Sequence, residues 1–261
     1  MNNKNSNIEQ IKLNDFYKDT LKIDTLLKLE DKDNLSAPLL LKVFDSYLNS
    51  KIKIMFVGKE TNHWLSHKSR PIEKRGINYL INDYEVFDEL IRRYEKCLQD
   101  TNSKTSNRFF SKYNLFNKTF NNNELGAIIW NNLYKCSYDK NRGYSKNSKG
   151  HSELLDELSK KLFNYELELL QPDVIVFVSG PTYDSTIKDF LGNYKKSEVM
   201  IKRRLWKFEY ELISGIEKKD VICYRTIHPD YYARNQKIEE SNYYQDIIDD
   251  IELFSLAEKL F

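Results

Sequence analysis

One carboxylate, one amide and one imidazole stand in or just after separate short apolar stretches of this chain. They are Glu60 after residues 52–57, Asn132 within residues 127–133 and His228 after residues 220–224. A carboxylate can orient a water molecule, an amide can hydrogen-bond the edge of a heterocycle, and an imidazole can stabilise a developing anion. Taken singly, Glu60 also fits a solvated loop and His228 a turn beside Pro229. Asn132 is harder to explain in this way, because a buried amide left unpaired costs about 1–3 kcal/mol.

Four apolar stretches of strand length, rich in β-branched and aromatic residues, predict the elements that position these side chains. The stretches are Ile52–Val57, Ala127–Leu133, Val174–Ser179 and Asp220–Tyr224. The segments between them are too long for hairpins, and helical periodicity recurs in Gly76–Leu98 and Ser152–Leu170. This alternation predicts an α/β fold, with three α/β/α layers around a central four-stranded parallel sheet. Ligands bind beyond the carboxyl ends of such strands, so the three side chains should converge there. Neighbouring side chains of a strand alternate faces, so one of Asn131 and Asn132 should face this cleft and the other should face away.

The rest of the chain is expected to complete a single domain over residues 1–261. Its parts are an N-terminal helical extension over 1–50, with helices at Ile8–Leu29 and Ala37–Leu48, a core over 51–235 and a C-terminal helix over 236–261. The segment Thr101–Asn123 is rich in Asn, Ser and Lys, which is typical of a surface loop. Its aromatic residues indicate that the middle of this segment packs against the core.

Composition excludes several classes of protein. The 41 Lys and Arg residues against 39 Asp and Glu give a net charge of +2, so the total charge does not indicate a nucleic-acid binder. Eight glycines and five prolines make about 5% of the chain against a usual value of about 12%, which argues against an all-β sandwich or barrel. Three cysteines without a CxxC pair, and His63 and His67 without a third ligand, predict neither a disulfide framework nor a metal site. With no signal peptide and no apolar run of membrane length, we expect a cytoplasmic monomer without membrane contact.

Motifs at the four strand ends give the sequence a family resemblance. They are GKETN from Gly58, NLYKCSYDKNR from Asn132, PDVIVFVSG around the third stretch and TIHPDYYAR after the fourth. In this order they resemble the uracil-DNA glycosylase superfamily, which places G-Q-D-P-Y or G-E-A-P-G after its first strand and H-P-S or H-P-A after its last. The similarity covers residues 51–235 and implies a uracil-DNA glycosylase-like fold with a catalytic core in that range.

Departures from the family pattern carry information of their own. The iron–sulfur branch has N-V-V-K-C-R-P-P-x-N-R and needs four cysteines, whereas only Cys136 stands at a cluster-ligand position here. The resemblance therefore implies no iron–sulfur cluster, and no cofactor is expected. Thr61 replaces the proline of the first motif, and Asn62 stands where strict uracil enzymes have a tyrosine that blocks a 5-methyl group. The smaller side chain implies a pocket that admits a 5-substituted pyrimidine.

The resemblance also implies a role for each matched residue. Glu60 would orient the attacking water, and His228 would hydrogen-bond O2 of the departing base. Asn132, with Asn62 and Gly58 beside it, would contact the edge of a base swung out of the helix. One orientation of its amide suits uracil, and the flipped orientation suits cytosine. Tyr231 or Tyr232 would wedge into the base stack, although both also fit a structural role.

Phosphate contacts are expected from groups around the same strand ends. The matched residues are Lys59, Arg142, Gly180 and Arg234, with backbone N–H groups of the Gly58 and Gly180 loops. Two basic runs add Lys135, Lys140, Lys146 and Lys149, and then Lys202, Arg203, Arg204 and Lys207. Charge runs are also typical of plain solvated faces.

The resemblance implies an enzyme that binds DNA and removes a pyrimidine base by hydrolysis, leaving an abasic site. A modified pyrimidine, such as glucosylated hydroxymethylcytosine of phage DNA in antiviral defence, is favoured over plain uracil because of Asn62. The alternatives are a uracil-DNA repair glycosylase, a non-catalytic sensor of unusual bases, and a nucleotide or nucleoside hydrolase on the same scaffold.

Overall fold

A computed structural model describes residues 5–61, 64–65, 70–83, 85–101, 107–141, 144–146, 149, 151–192, 194–234 and 243–257. Its strands, numbered along the chain, form one large sheet and one two-stranded ribbon. They are β1 (Ile54–Glu60), β2 (Ile128–Tyr134), β3 (Tyr138–Asn141), β4 (Tyr144–Lys146), β5 (Val174–Phe177), β6 (Tyr194–Ile201), β7 (Leu205–Ser214) and β8 (Glu217–Arg225).

The large sheet has six strands in the order β2-β1-β5-β8-β7-β6. The strands β2, β1, β5 and β8 are mutually parallel, and each contains most of one predicted apolar stretch. The α/β class and the mostly parallel sheet are therefore confirmed, but the predicted number of four strands is wrong. The antiparallel strands β7 and β6 extend the sheet beyond β8. The edge strand β6 is almost entirely exposed, and its consecutive apolar residues are limited to Val199–Ile201, too short a run to indicate a strand in the sequence.

Ten α-helices lie within the described residues. They are α1 (Ser6–Thr20), α2 (Ile23–Leu26), α3 (Asp45–Leu48), α4 (Gly76–Asn82), α5 (Val86–Thr101), α6 (Arg108–Asn121), α7 (Glu153–Leu170), α8 (Asp184–Leu191), α9 (Pro229–Arg234) and α10 (Tyr243–Ala257). Short 3₁₀ turns occur at Lys32–Asn34, Ile72–Lys74 and Pro181–Tyr183. None of the described helices combines the length and the apolar character needed to cross a membrane.

Helices pack on both faces of the sheet, as expected for a mostly parallel sheet. On one face, Phe56 of β1 contacts Phe109 and Phe116 of α6. On the other face, Asn131 of β2 bonds to Glu166 of α7. This arrangement is consistent with three α/β/α layers, and α1 packs outside α7.

The N-terminal fifty residues differ from the prediction in one element. Residues 37–44 are not helical, and only α3 remains of the predicted helix Ala37–Leu48. The N–H of Leu39 donates to the carbonyl of Lys135, just beyond β2. The segment is largely buried, with only Lys42 and Phe44 partly exposed, so it lacks the polar face that a surface helix turns to solvent. The predicted helix Ile8–Leu29 is divided into α1 and α2.

Two segments of the core differ from their predicted secondary structure. The predicted helix Gly76–Leu98 is interrupted after Asn82, so α4 and α5 are separate helices. The segment Thr101–Asn123, expected as a loop, contains α6, whose first N–H groups donate to the side chain of Asn107. The expectation that its middle packs is confirmed, because Phe110 and Phe116 are buried.

Candidate functional site

A cavity of about 560 Å³ opens at the carboxyl ends of β1 and β2. The first turn of α6 and the residues that follow β8 complete its wall, so four distant segments of the chain meet there. Its lining includes Gly58, Lys59, Glu60, Asn132, His228, Asp230 and Tyr231, with the aromatic residues Trp64, Phe109, Phe110 and Trp130. The structure therefore brings Glu60, Asn132 and His228 together at one cavity. The volume lies within the range of roughly 300–1,000 Å³ that is typical of small-molecule sites.

Asn132 faces this cavity, while its neighbour Asn131 faces α7, which confirms the expected alternation along β2. The amide of Asn132 is held by two backbone groups. Its Nδ2 donates to the carbonyl of Asn131 at 2.8 Å, and its Oδ1 accepts from the N–H of Thr61 at 3.2 Å. A carbonyl can only accept and an N–H can only donate, so the two contacts define which way the amide points. These two bonds use one hydrogen of Nδ2 and one lone pair of Oδ1, and each atom has a second that they do not use.

Gly58 lies opposite Asn132 in the β1–β2 pairing and leaves room for its amide. A Cβ atom at Gly58 would lie 2.4 Å from the end of the Asn132 amide and 3.1 Å from the ring of Phe109. The sequence predicts Gly58 in a loop after the first strand, but this residue lies inside β1, which continues to Glu60. The glycine is required by this close approach rather than by a turn.

Glu60 is the last residue of β1 and is half-buried at the cavity. Its carboxylate is close enough to Tyr183 to affect that phenol: burial, with a further contribution from the charge of Glu60, raises the pKa of Tyr183 well above its ordinary value. The ammonium groups of Lys59 and Lys149 each lie 5.7 Å from the centre of the Tyr183 ring. A carboxylate and two cations are thus grouped around one tyrosine at this edge of the sheet.

His228 stands at the start of α9, and its ring is held by the backbone. Its Nδ1 accepts from the N–H of Asp230 at 3.2 Å. In the neutral ring the proton therefore resides on Nε2, which is the tautomer that can donate to an acceptor from this nitrogen. The carboxylate of Asp230 lies 3.7 Å from Nδ1 and would form an ion pair if the ring took a second proton. The ring also stacks on Phe109, with ring centres 6.2 Å apart.

Sequence reasoning missed the aromatic wall of the cavity. Phe109 packs edge-on against Phe56, and Trp130 stacks on Tyr94 with ring centres 5.6 Å apart. The hydroxyl of Tyr94 donates to the carbonyl of Trp130 and accepts from its N–H, each at 2.9 Å. Asn107 as a helix cap was the signal for the helix that carries Phe109. A flat aromatic wall beside polar groups suits a planar heterocycle.

A buried polar network lies directly behind the cavity, on the α7 face of β2. Lys135 Nζ bonds to Glu166 Oε2 and, at 2.5 Å, to Asn131 Oδ1. Asn131 Nδ2 donates to Glu166 Oε2 at 2.8 Å, and the hydroxyl of Tyr17 donates to Glu166 Oε1 at 2.6 Å. Asn131 Oδ1 also accepts the N–H of Asn132 at 2.7 Å. The network therefore holds Asn131, and through it the backbone of the residue that faces the cavity.

Several residues expected to contact phosphate are used differently. Lys135 is buried in the network just described, so its assignment to a phosphate-binding run is wrong. Lys207 bonds to Asp250 of α10 at 2.5 Å. The N–H of Gly180 donates to the carbonyl of Thr226 at 3.0 Å, so this group is already bonded within the protein.

The remaining predicted residues include one that lies at the cavity and four that the structure does not fully describe. Tyr231 lies at the cavity and is 45% exposed. Asn62 and Arg142 lie outside the described residues, and so do the side chains of Tyr232 and Arg234, whose backbone belongs to α9.

The residue at the cluster-ligand position does not fit an iron–sulfur group. Cys136 is buried, and burial raises the pKa of its thiol to about 12, which disfavours the thiolate that ligates iron. Among the described residues, no group of three His, Cys, Asp or Glu side chains is arranged to hold a metal ion.

Comparison with known proteins gives no family. No protein-family model matches the chain, and no curated protein matches it.

Proposed function

We propose that the protein is a DNA glycosylase that takes a flipped pyrimidine into this cavity and hydrolyses its N-glycosidic bond. The observation that carries the proposal is the meeting of Glu60, Asn132 and His228 at one cavity with an aromatic wall. The three residues come from the ends of β1 and β2 and from the loop after β8, as the resemblance to the uracil-DNA glycosylase superfamily implies.

Each side chain has a part in the proposed reaction. The base leaves with the electrons of the C–N bond, so positive charge grows on the sugar and negative charge grows on the base. The carboxylate of Glu60 stabilises the sugar cation and orients the water that adds to it. His228 donates from Nε2 to the anionic base, and its neutral ring suits this role because Nδ1 is already bonded to the Asp230 N–H.

Base selection is proposed to depend on Asn132 and on the aromatic wall. The backbone defines the orientation of the Asn132 amide, so its remaining donor and acceptor meet a base edge in one order. Phe109 and Trp130 supply flat surfaces against which a base can stack. We propose a 5-substituted pyrimidine rather than plain uracil, from the small Asn62 of the sequence.

The test is base release from duplexes carrying uracil, hydroxymethylcytosine or glucosylated hydroxymethylcytosine. Released base is identified by mass spectrometry, and abasic sites are counted by alkaline strand cleavage. We expect release from at least one duplex, and at least a tenfold loss of rate in Glu60→Gln and in His228→Ala.

Two matched variants control for charge and for ring loss. Glu217→Gln changes the first residue of β8, and His151→Ala removes a ring that stacks on Tyr138; neither residue lines the cavity. Both should retain the wild-type rate. Full activity in the Glu60 and His228 variants would refute the site, and absence of any released base would refute the enzyme for these substrates. Tight binding to modified DNA without release of a base would identify a sensor of unusual bases. Occupation of the cavity by free nucleotides that duplex DNA does not displace would identify a nucleotide hydrolase.

A further inference from the structure

The β6–β7 hairpin carries three consecutive cations at its turn, Lys202, Arg203 and Arg204. The strand β7 runs antiparallel to β8, so Trp206 near its start pairs with Arg225 at the end of β8. The turn therefore lies at the carboxyl edge of the parallel strands, the edge where the cavity opens. The sequence alone could place these cations on any solvated face; the topology places them beside the cavity.

Arg204 links the turn directly to the cavity. Its guanidinium lies 5.8 Å from the centre of the ring of Tyr231, which lines the cavity mouth and is 45% exposed. The Nη1 atom of Arg204 is shielded from solvent and has no hydrogen-bond partner among the described residues. Arg204 as a whole is partly exposed, and its guanidinium is always charged and carries planar N–H donors that match the geometry of phosphate oxygens.

Lys202 and Arg203 are exposed at the tip of the turn. Within the described part of the chain, neither of them nor Arg204 forms an ion pair with a carboxylate, whereas Lys195 and Lys196 of the same hairpin do. Arg203 has φ of +60°, a left-handed conformation that is uncommon for a long side chain. The cationic charge of the turn is thus available to an external anion.

We infer that residues 202–204 are an arm that binds the phosphodiester backbone of DNA beside the nucleotide held in the cavity. This inference rests on the proposed function for the identity of the polyanion. The arm compensates for the cavity itself, where the carboxylates of Glu60 and Asp230 would repel a phosphate. Phosphate contacts of this kind add affinity without sequence preference.

The experiment measures binding of wild type and Lys202→Gln/Arg203→Asn to an unmodified 20-nucleotide DNA, as single strand and as duplex, between 50 and 200 mM salt. Asparagine tolerates the left-handed conformation, so the variant should fold, which circular dichroism checks. Loss of two phosphate contacts should reduce the slope of log K against log salt by about 1.4 for the single strand and about 1.8 for the duplex. The ratio of the wild-type affinity to the variant affinity for the single strand should therefore be about 7-fold smaller at 200 mM salt than at 50 mM salt.

A matched control removes two charges at the opposite edge of the sheet. Lys51 precedes β1 and Lys118 lies in the last turn of α6, far from the cavity end of that helix. Lys51→Gln/Lys118→Gln should leave the slope unchanged. An unchanged slope in the arm variant, or an equal reduction in the control, would overturn the inference.

The binding readout separates this inference from the proposed function. If wild type releases no base but the arm variant shows the reduced slope, the glycosylase proposal fails and the arm stands. If base is released and the arm variant has the wild-type slope, the inference about the arm is wrong and the glycosylase proposal is supported.

Discussion

Neutralising Glu166 tests whether the buried network behind the cavity stabilises the fold. Glu166→Gln keeps the shape of the side chain but leaves the Lys135 ammonium without its carboxylate. Both side chains are almost completely buried, at 2% and 0% exposure. Burial already lowers the pKa of Lys135 below its ordinary value, which shows how unfavourable an uncompensated charge is at this position. Leaving such a charge unpaired costs about 3–5 kcal/mol, a large part of a total stability of about 5–15 kcal/mol.

The coupling energy between the two charges, measured by a double-mutant cycle, is a more specific test than either single variant. Lys135→Met should be as costly as Glu166→Gln, because it leaves the carboxylate unpaired. The double variant leaves neither charge, so its loss should be smaller than the sum of the single losses by about 2–3 kcal/mol. Free energies of unfolding come from urea titrations at pH 7.5, followed by tryptophan fluorescence and by circular dichroism to check two-state behaviour.

The exposed pair Lys160–Asp189 is the matched control. Its atoms are 2.9 Å apart, but the side chains are 40% and 65% exposed. Removing either partner should change stability by less than about 1 kcal/mol. A loss below 1 kcal/mol in Glu166→Gln, or strict additivity in the double variant, would refute the reasoning about the buried pair.

Two further predictions concern the buried tyrosines and the glycine beside the amide. Burial raises the pKa of Tyr17, Tyr47 and Tyr113, so above pH 10 the unfolded chain loses protons that the folded chain keeps, and stability falls as pH rises. In urea titrations, Tyr113→Phe should reduce the stability lost between pH 8 and pH 11 by about 1.4 kcal/mol in total; an equal loss in the variant and in wild type would contradict it. Gly58→Ala should displace the Asn132 amide and reduce base release at least tenfold, at a stability cost of about 1–3 kcal/mol. An unfolding curve checks that Gly58→Ala is folded. Unchanged base release in the folded variant would show that the Asn132 amide does not depend on the space beside Gly58.

Apolar runs were sufficient to find the parallel strands, because these strands are buried on both faces. They were not sufficient for β6, whose residues are exposed at the sheet edge, or for residues 37–44, which are not helical. In the latter case the apolar run predicts a helix, whereas the hydrogen bond from the N–H of Leu39 to the carbonyl of Lys135 joins distant parts of the chain.

The polar half of the candidate site was predictable for a topological reason. Parallel strands present their carboxyl ends at one edge, so Glu60, Asn132 and His228 had to lie near one another once the strands were recognised. The aromatic half was not, because Phe109 reaches the cavity from a helix in a segment whose composition is typical of a loop. No periodicity in the sequence relates that helix to the loop after β8.

The pair Asn131 and Asn132 links the buried network to the proposed base-binding site. Strand alternation directs Asn131 into the buried network and Asn132 into the cavity, and Asn132 donates two hydrogen bonds to Asn131. Asn131 Oδ1 accepts the N–H of Asn132, and the carbonyl of Asn131 accepts Nδ2 of Asn132. Reversing the Asn132 amide would break its bonds to this carbonyl and to the N–H of Thr61. Because the two orientations suit uracil and cytosine respectively, the fixed amide should favour one pyrimidine class, and a change of class would require a change in these backbone contacts.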